Sequence, residues 1–427
     1  MGISLLFIGL LFFIAHSLVF LFKSTKIPDV FFLILLGFLA GPVFGFVNLK
    51  DFGQVGNVLS TFALVLLLFE GGTHLSPKTL SQSLKGTMGL TLTTFFATAA
   101  LAAAVSYFFM GFSVLGALTL GTILGGISPA VVIPLAKYLG LSDNNQTSVI
   151  LESAVTDVLS IILTFTLINL GTGQHFEVGP MIGQILSAFL FAVIIGLLGS
   201  LVWILVLNSI RVIPNTVFST LAFGLVLYGL TEFLGFSGAF ATLAFGFGLT
   251  NQVELGFHKL PLVKKGNPAS LTEVEMGFFS EVTFLLKTFF FFYLGISFQW
   301  QGLNALPFIL AFLVALFIVR PFLTSFFLRR KAGKREGALI AVLVPKGLAS
   351  AVLATIPLAR GLPDGQPIAN FAVIAVILSV VFTSVMVLLV EKTPVAKLYT
   401  RLFNATDATI PEVSDKTSLS SVQNEKS

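Results

Sequence analysis

The chain has 427 residues, of which 56% are hydrophobic and only 10% are charged, and 47 residues are phenylalanine. This composition excludes a soluble globular domain and predicts an all-α polytopic membrane protein. The absence of cysteine excludes disulfides and cysteine-ligated metals. The net charge of +5 does not indicate binding to nucleic acid, because most lysines and arginines lie in short connections, where they orient a membrane protein.

Apolar segments of about the length of a bilayer span occur thirteen times, and we expect about thirteen transmembrane helices. The first lacks a basic leader and a clear cleavage site, which favours a retained helix over a signal peptide. The spans have the approximate limits 3–22, 28–47, 55–73, 86–109, 113–139, 146–171, 180–208, 214–233, 236–252, 277–298, 305–328, 336–359 and 367–391. The polar residues 393–427 have no apolar period and are predicted to form a disordered cytoplasmic tail.

Positive charge is concentrated in the connections that follow odd-numbered spans. These connections and the residues after the last span contain Lys23, Lys26, Lys78, Lys85, Lys137, Arg211, Lys259, Lys264, Lys265, Arg329, Arg330, Lys331, Lys334, Arg335, Lys392, Lys397 and Arg401. The opposite side has little beyond Lys50 and Arg360. By the positive-inside rule, the N-terminus is predicted to lie outside and the C-terminus in the cytoplasm.

Two of the spans are interrupted by glycine and proline. Span 5 contains the sequence GGISP at 125–129, and span 12 contains VPKG at 344–347. Inside a bilayer, backbone that is freed by such a break must be buried in protein or line a polar cavity. We therefore predict two discontinuous helices that cross at a transport site near the membrane midplane.

Similar features recur seven spans apart. Span 3 ends in Glu70 and a glycine pair, span 10 also runs from an apolar stretch through glycine into a polar turn, and the two broken spans are seven apart. Because seven is odd, each pair crosses the membrane in opposite directions, which predicts an inverted repeat of two six-helix units. The units are about 1–172 and 214–392, joined by a linker span at about 180–208. Chance similarity among segments rich in Phe, Leu and Gly is the alternative.

Span 6 carries two carboxyl groups, on Glu152 and Asp157. Charged residues inside a membrane helix are costly and indicate a functional site or a buried ion pair. Their spacing places the two side chains about 140° apart on a helix, so they face different directions. Arg320 in span 11 is the predicted partner of Glu152 in a structural ion pair, since an unpaired guanidinium at that depth is unfavourable.

Asp157 is the predicted carrier. Burial disfavours the charged form of a carboxyl group, so a buried aspartate can hold a proton near neutral pH, whereas a cation requires the ionised form. Proton and cation then compete for one group, and if only the neutralised protein switches its opening, the result is exchange. Ser153 and Thr156 on the same helix, and Ser128 in the break, supply oxygen ligands of the kind that Na⁺ or K⁺ prefers.

Two lysines lie well inside apolar spans, away from the span ends. Lys346, beside the break in span 12, is predicted to balance helix dipoles and carboxylates where the broken helices cross, with a snorkelling lysine as the alternative. Lys287 in span 10 is predicted to snorkel toward the cytoplasmic face.

Taken as a set, four motifs resemble the monovalent cation:proton antiporter family of the sodium/proton exchanger type. They are LLLFEGG at 66–72, ESAVTD at 152–157, VRPF at 319–322 and PKGLAS at 345–350. The resemblance covers about residues 1–392. It implies a dimerisation domain and a core domain with two crossed, interrupted helices, and homodimers in which the core moves like an elevator.

The resemblance also implies specific ligands. Asp157, Ser153, Glu70 and the main-chain oxygen of Ile127 would bind the ion. By the same resemblance, the Glu152–Arg320 pair is structural.

The chain departs from the family pattern in two places. It has Ile-Ser-Pro at 127–129 where Thr-Asp-Pro is common, which removes a carboxylate that would balance charge near Lys346. It has Thr156-Asp157 where the electrogenic branch has two aspartates. A single carrier carboxylate predicts electroneutral exchange of one cation per proton.

The sequence therefore predicts a secondary active antiporter for Na⁺, K⁺ or Li⁺ and H⁺ in the inner membrane of a prokaryotic cell, serving pH and sodium homeostasis. A sodium-coupled symporter or a channel on a related broken-helix fold is the alternative. An enzyme is not expected, because the spans contain no cysteine and no pair of histidines. No cofactor is expected, and the partners are the ions, the bilayer and a second copy of the chain.

Overall fold

The computed structural model describes residues 9–10, 12–17, 29–47, 55–171, 178–210, 217–257, 271–298, 303–328 and 332–403. The regular structure of these residues is helical, with a short helical piece at 12–17 before the first complete element. The helices are α1 (Asp29–Phe38), α2 (Val55–Thr73), α3 (Pro77–Met110), α4 (Val114–Gly125), α5 (Pro129–Tyr138), α6 (Asp143–Gly171), α7 (Val178–Ile210), α8 (Val217–Phe233), α9 (Gly238–Thr250), α10 (Glu273–Ile296), α11 (Leu306–Leu328), α12 (Lys334–Val342), α13 (Leu348–Leu353), α14 (Ile356–Ala359), α15 (Gly365–Lys392) and α16 (Val395–Thr400). A π-helix at Leu39–Val43 extends α1, and a 3₁₀-helix at Leu303–Ala305 directly precedes α11.

The prediction of an all-α polytopic membrane protein is confirmed. Seven helical stretches in the described part of the chain are long and apolar enough to cross a membrane, and five shorter ones are also apolar. Each predicted span from 28–47 to 367–391 corresponds to one helix or to one interrupted helix. The first predicted span, 3–22, is described only at residues 9–10 and 12–17, so the count of thirteen stays a prediction.

Both predicted breaks are present. In span 5, α4 ends at Gly125 and α5 begins at Pro129, and proline is suited to a first helical position because its missing N–H is not needed there. In span 12, α12 ends at Val342 and α13 begins only at Leu348. The spans that directly follow the two broken spans, α6 and α15, are continuous over 29 and 28 residues.

Two tight helix crossings match the predicted seven-span offset. Span 2 packs on span 10, where a Cβ atom on Gly37 would lie 3.1 Å from the Gly295 Cα. Span 9 packs on span 3, where a Cβ on Gly246 would lie 3.1 Å from the Thr73 nitrogen. Span 9 comes seven spans after span 2, and span 10 comes seven spans after span 3, so the two packed pairs are related by the predicted offset. This correspondence supports the inverted repeat, which stays a prediction.

The start of the predicted tail is folded, which corrects the expectation of disorder for residues 393–403. Helix α16 lies there, and the Tyr399 hydroxyl donates to the main-chain oxygen of Phe317 at 3.1 Å. Phe403 is buried against Gly337 of α12. Two aromatic side chains therefore anchor a segment whose polar composition gives no apolar period. Residues 404–427 lie outside the described part of the chain.

Candidate functional site at the crossing of two broken helices

The two breaks touch each other. The main-chain N–H of Ser128 donates to the Pro345 oxygen at 2.8 Å. The Lys346 ammonium, which is fully buried, donates to the main-chain oxygen of Gly126 at 3.0 Å. Each break thus satisfies polar groups of the other, which is what backbone without helical hydrogen bonds needs inside a membrane. Lys346 lies beside the break as predicted, and the partner that it finds there is a carbonyl.

A hydroxyl on the following span also anchors each break. Thr156 of α6 accepts from the main-chain N–H of Ile127 at 3.0 Å and donates to the Ser153 oxygen at 3.0 Å. Ser379 of α15 accepts from the main-chain N–H of Lys346 at 2.8 Å. The sequence analysis missed Ser379, which is one of two serines in the apolar run of the last span, the other being Ser384. The Thr156 hydroxyl is thus already engaged with the backbone on both sides.

Asp157 lies at this crossing. Its side chain is only 7% exposed and lines a small cavity together with Ser128. The cavity volume is about 10 Å³, room for about one water-sized sphere. Its walls are Leu64, Ser128, Pro129, Ala130, Asp157, Phe290, Gly347 and Ala349. The structure therefore brings together the predicted carrier, one predicted ligand and both interrupted segments.

Ser153 is placed differently. It is completely buried on α6, and its hydroxyl donates to the Ile150 oxygen within the same helix at 2.9 Å. It does not line the small cavity, and its predicted ligand role stays a prediction.

A larger cavity of about 380 Å³ lies along the same helices. Three helices, α2, α5 and α10, each contribute residues to both cavities about one turn apart. The pairs, with the small cavity first, are Leu64 and Leu67 on α2, Ala130 and Ile133 on α5, and Phe290 and Lys287 on α10. The larger cavity therefore ends about one helical turn from the cavity of Asp157.

Glu70 lines the larger cavity and not the small one. Its carboxylate pairs with the Lys137 ammonium at 3.0 Å. The structure thus places Glu70 and Asp157 in separate cavities. Because the Glu70 carboxylate is paired with Lys137, it could bind a cation only after that ion pair opens. Lys287 lies in the same wall, 2% exposed, and donates to the Tyr138 hydroxyl at 3.1 Å.

Glu152 faces away from the small cavity and contacts Arg320. Both nitrogen atoms at the end of the guanidinium bind the carboxylate, one of them at 2.8 Å, and Thr94 donates to it at 2.9 Å. The two charged side chains are 3% and 1% exposed. The structure therefore brings the predicted partners together in a buried, bidentate pair.

Comparison with known proteins adds three observations. The family model described as "Sodium/hydrogen exchanger, transmembrane" matches residues 8–392. The K(+)/H(+) antiporter NhaP2 of Shewanella oneidensis is 26% identical over 361 residues, which is 83% of this chain and 60% of that protein. The K(+)/H(+) antiporter NhaP of Alkalimonas amylolytica is 26% identical over 198 residues, which is 46% of this chain and 34% of that protein. The chain thus spans about 60% of the length of the NhaP2 relatives that it matches.

Solved structures of the sodium proton antiporter MjNhaP1 from Methanocaldococcus jannaschii have the same fold. One has a TM-score of 0.66 over 94% of this chain and 98% of that chain. The other has a TM-score of 0.71 over 94% and 97%. The sequence identity is 18% in both cases.

Proposed function

The chain belongs to the sodium/hydrogen exchanger family, and from this premise we propose that it is a secondary active antiporter that exchanges a monovalent cation for protons. The observation that carries the proposal is the position of Asp157. A carboxyl group with 7% exposure, in a cavity about one water molecule wide, lies where two interrupted helices cross.

Asp157 is the group for which the two substrates compete. As a carboxylate it attracts a cation, and as a carboxylic acid it is neutral and holds a proton, so each substrate displaces the other. Only the neutralised site, with cation or proton bound, is then ready to change its access to the two sides. One carboxylate changes by one charge, so the proposed stoichiometry is one cation per proton and the exchange is electroneutral.

The remaining ligands are oxygens. Ser128 shares the small cavity with Asp157, and the predicted ligands Ser153, Thr156 and the Ile127 oxygen lie on the same helix or in the same break. Oxygen ligands suit Na⁺, K⁺ and Li⁺ alike, so the set favours alkali cations as a class.

We further propose how the protein sits in the cell. The inner membrane of a prokaryote is the proposed location, with the N-terminus outside and the C-terminus in the cytoplasm, because the basic connections lie on one side. Residues of about 1–172, 180–208 and 214–392 form the two repeats and their linker span. A homodimer is proposed from the family, and exposed apolar side chains on α7, such as Leu186 and Leu190, suit contact with lipid or with a second copy.

The test is exchange in proteoliposomes that contain a pH-sensitive dye. Addition of Na⁺, K⁺ or Li⁺ should move protons in the wild type. Asp157→Asn should abolish the response, whereas Asp143→Asn, an exposed residue at the start of the same helix, should retain it. No response of the wild type to any cation, or full activity of Asp157→Asn, would refute the proposal.

A further inference from the structure

One hydroxyl close to Asp157 has no hydrogen-bond partner. Ser160 is 1% exposed, and its Oγ atom makes no hydrogen bond within the described residues. The buried hydroxyls nearest to it on α6 are hydrogen-bonded. Ser153 and Thr156 each donate to a main-chain oxygen, and Thr164 shares a hydrogen bond with Thr122. A buried hydroxyl without a partner is unfavourable by about 1–3 kcal/mol, so this exception needs an explanation.

The orphaned hydroxyl faces the break in span 5. A Cβ atom built on Gly126 would lie 2.8 Å from the Ser160 Oγ, 3.3 Å from the Asp157 Oδ1 and 3.6 Å from the main-chain oxygen of Thr156. Three oxygens of α6 therefore lie close together against the side of Gly126 on which a side chain would stand. Ser160 lies three residues after Asp157, which places both side chains on the same face of the helix.

The glycine at this position provides space. Gly126 has φ −68° and ψ 157°, a conformation that any residue adopts, so its backbone does not require glycine. A side chain at position 126 would instead press against these three oxygens. Glycine therefore lets this part of α6 pack directly against the break.

We propose that the Asp157 carboxylate and the Ser160 hydroxyl form a cation subsite, in which the hydroxyl is a further ligand of the ion that Asp157 carries. The proposal rests on the proposed exchange and names a further ligand of the same site. A hydroxyl oxygen is a ligand for a hard alkali cation, and when Asp157 is protonated the same hydroxyl can accept a hydrogen bond from the carboxylic acid. Ser160 thus gains a partner in both states of the carrier.

The charged groups near this subsite are consistent with a ligand role for Ser160. Lys346 donates to the oxygen of Gly126, so the one ammonium in the break is engaged by the backbone. Glu152 is engaged by Arg320, which leaves Asp157 as the carboxylate at the subsite. The bound cation therefore depends on one negative charge and on neutral oxygens, and the loss of one oxygen should weaken it measurably.

The experiment compares Ser160→Ala with the wild type in proteoliposomes, for Na⁺, K⁺ and Li⁺ separately. The cation concentration for half-maximal exchange should rise about three- to tenfold, the size expected for one lost polar contact, while the maximal rate changes little. Thermal stability in detergent should not fall, because the substitution removes an unsatisfied buried hydroxyl. Ser106→Ala is the matched control, since Ser106 is equally buried but donates to Ala102 of its own helix.

Two further variants sharpen the result. Gly126→Ala places a methyl group 2.8 Å from the Ser160 Oγ and 3.3 Å from the Asp157 Oδ1. Because it displaces both oxygens, it should weaken cation binding more than Ser160→Ala does. Ser160→Thr keeps the hydroxyl, narrows the space and should favour the smaller cations.

Unchanged half-maximal concentrations in Ser160→Ala for all three cations overturn the proposal, as does a loss of stability without a change in cation affinity. If the wild type exchanges no cation, the proposed function fails instead. The subsite is then tested by the thermal stabilisation that each cation gives to the detergent-solubilised wild type and that Ser160→Ala should lose.

Discussion

Thr156 accepts a hydrogen bond from the main-chain N–H of Ile127 at 3.0 Å, and it is the residue directly before Asp157, the proposed carrier. The helix that carries the carboxylate therefore also fixes the interrupted segment beside it. Ser379 holds the main-chain N–H of Lys346 in the same way at 2.8 Å. The geometry of the crossing thus depends on two short side chains in the spans that follow the breaks.

Replacing Thr156 by valine should loosen the first break. Valine has nearly the same shape but leaves the buried N–H of Ile127 without its acceptor, so the free energy of unfolding should fall by about 1–3 kcal/mol. SDS titration in mixed micelles measures this change. Thr242→Val is the control, because Thr242 is equally buried and bonds only to Gly238 of its own helix. Equal stabilities of the two variants would contradict the anchoring role.

The two anchors should be coupled to each other. The breaks that they hold are in contact through the Ser128 N–H and the Pro345 oxygen, 2.8 Å apart. In a double-mutant cycle of Thr156→Val and Ser379→Ala, we expect a coupling energy of about 0.5–3 kcal/mol, since loosening one break already disturbs the other. The same titration measures it. Strict additivity would mean that the breaks are stabilised independently.

Much of the fold could be predicted from the sequence because it follows from long apolar runs and from backbone chemistry. The interruption at 125–129 was predicted because glycine and proline disrupt a helix at the same place in any context. A functional site or a buried ion pair was predicted on span 6 because carboxyl groups are rare inside membrane helices.

The contacts at the site could not be predicted, because they depend on how one helix is rotated against another. No pattern indicates that Glu70 pairs with Lys137 in a separate cavity, that Ser379 holds the second break, or that Ser160 is left without a partner. Lys346 was expected to balance helix dipoles and carboxylates, and its hydrogen bond goes to the oxygen of Gly126, the C-terminal cap of α4. This contact agrees with the helix-dipole part of that expectation.

The Glu152–Arg320 pair should support the fold rather than the exchange. Glu152→Gln or Arg320→Gln alone should lower the free energy of unfolding by about 3–5 kcal/mol, because each leaves the other charge buried without a partner. The double variant should lose less than the sum of the two. The cation concentration for half-maximal exchange should stay close to the wild-type value in any variant that folds. A large change in that concentration at unchanged stability would assign the pair to transport.

Acid should destabilise the protein partly through His74, which follows α2 at the wall of the larger cavity. His74 reaches the surface, but partial desolvation by its neighbours and the nearby Lys137 lower its pKa below 6.5, while Glu70 and Asp143 act in the opposite direction. In the unfolded chain His74 takes up a proton below about pH 6.5, whereas the folded protein resists that proton until a lower pH. The unfolded state therefore binds more protons in this window, and stability should fall as the pH is lowered through it.

Substitution of His74 isolates this effect. The loss of thermal stability between pH 8 and pH 5.5 should be smaller in His74→Gln than in the wild type, because the variant has no proton to take up at this position. Lys137→Gln should reduce the same loss in part, since it removes one of the two causes of the lowered pKa. Thermal unfolding of the detergent-solubilised variants at both pH values measures it. An identical loss in all three proteins would show that His74 does not contribute.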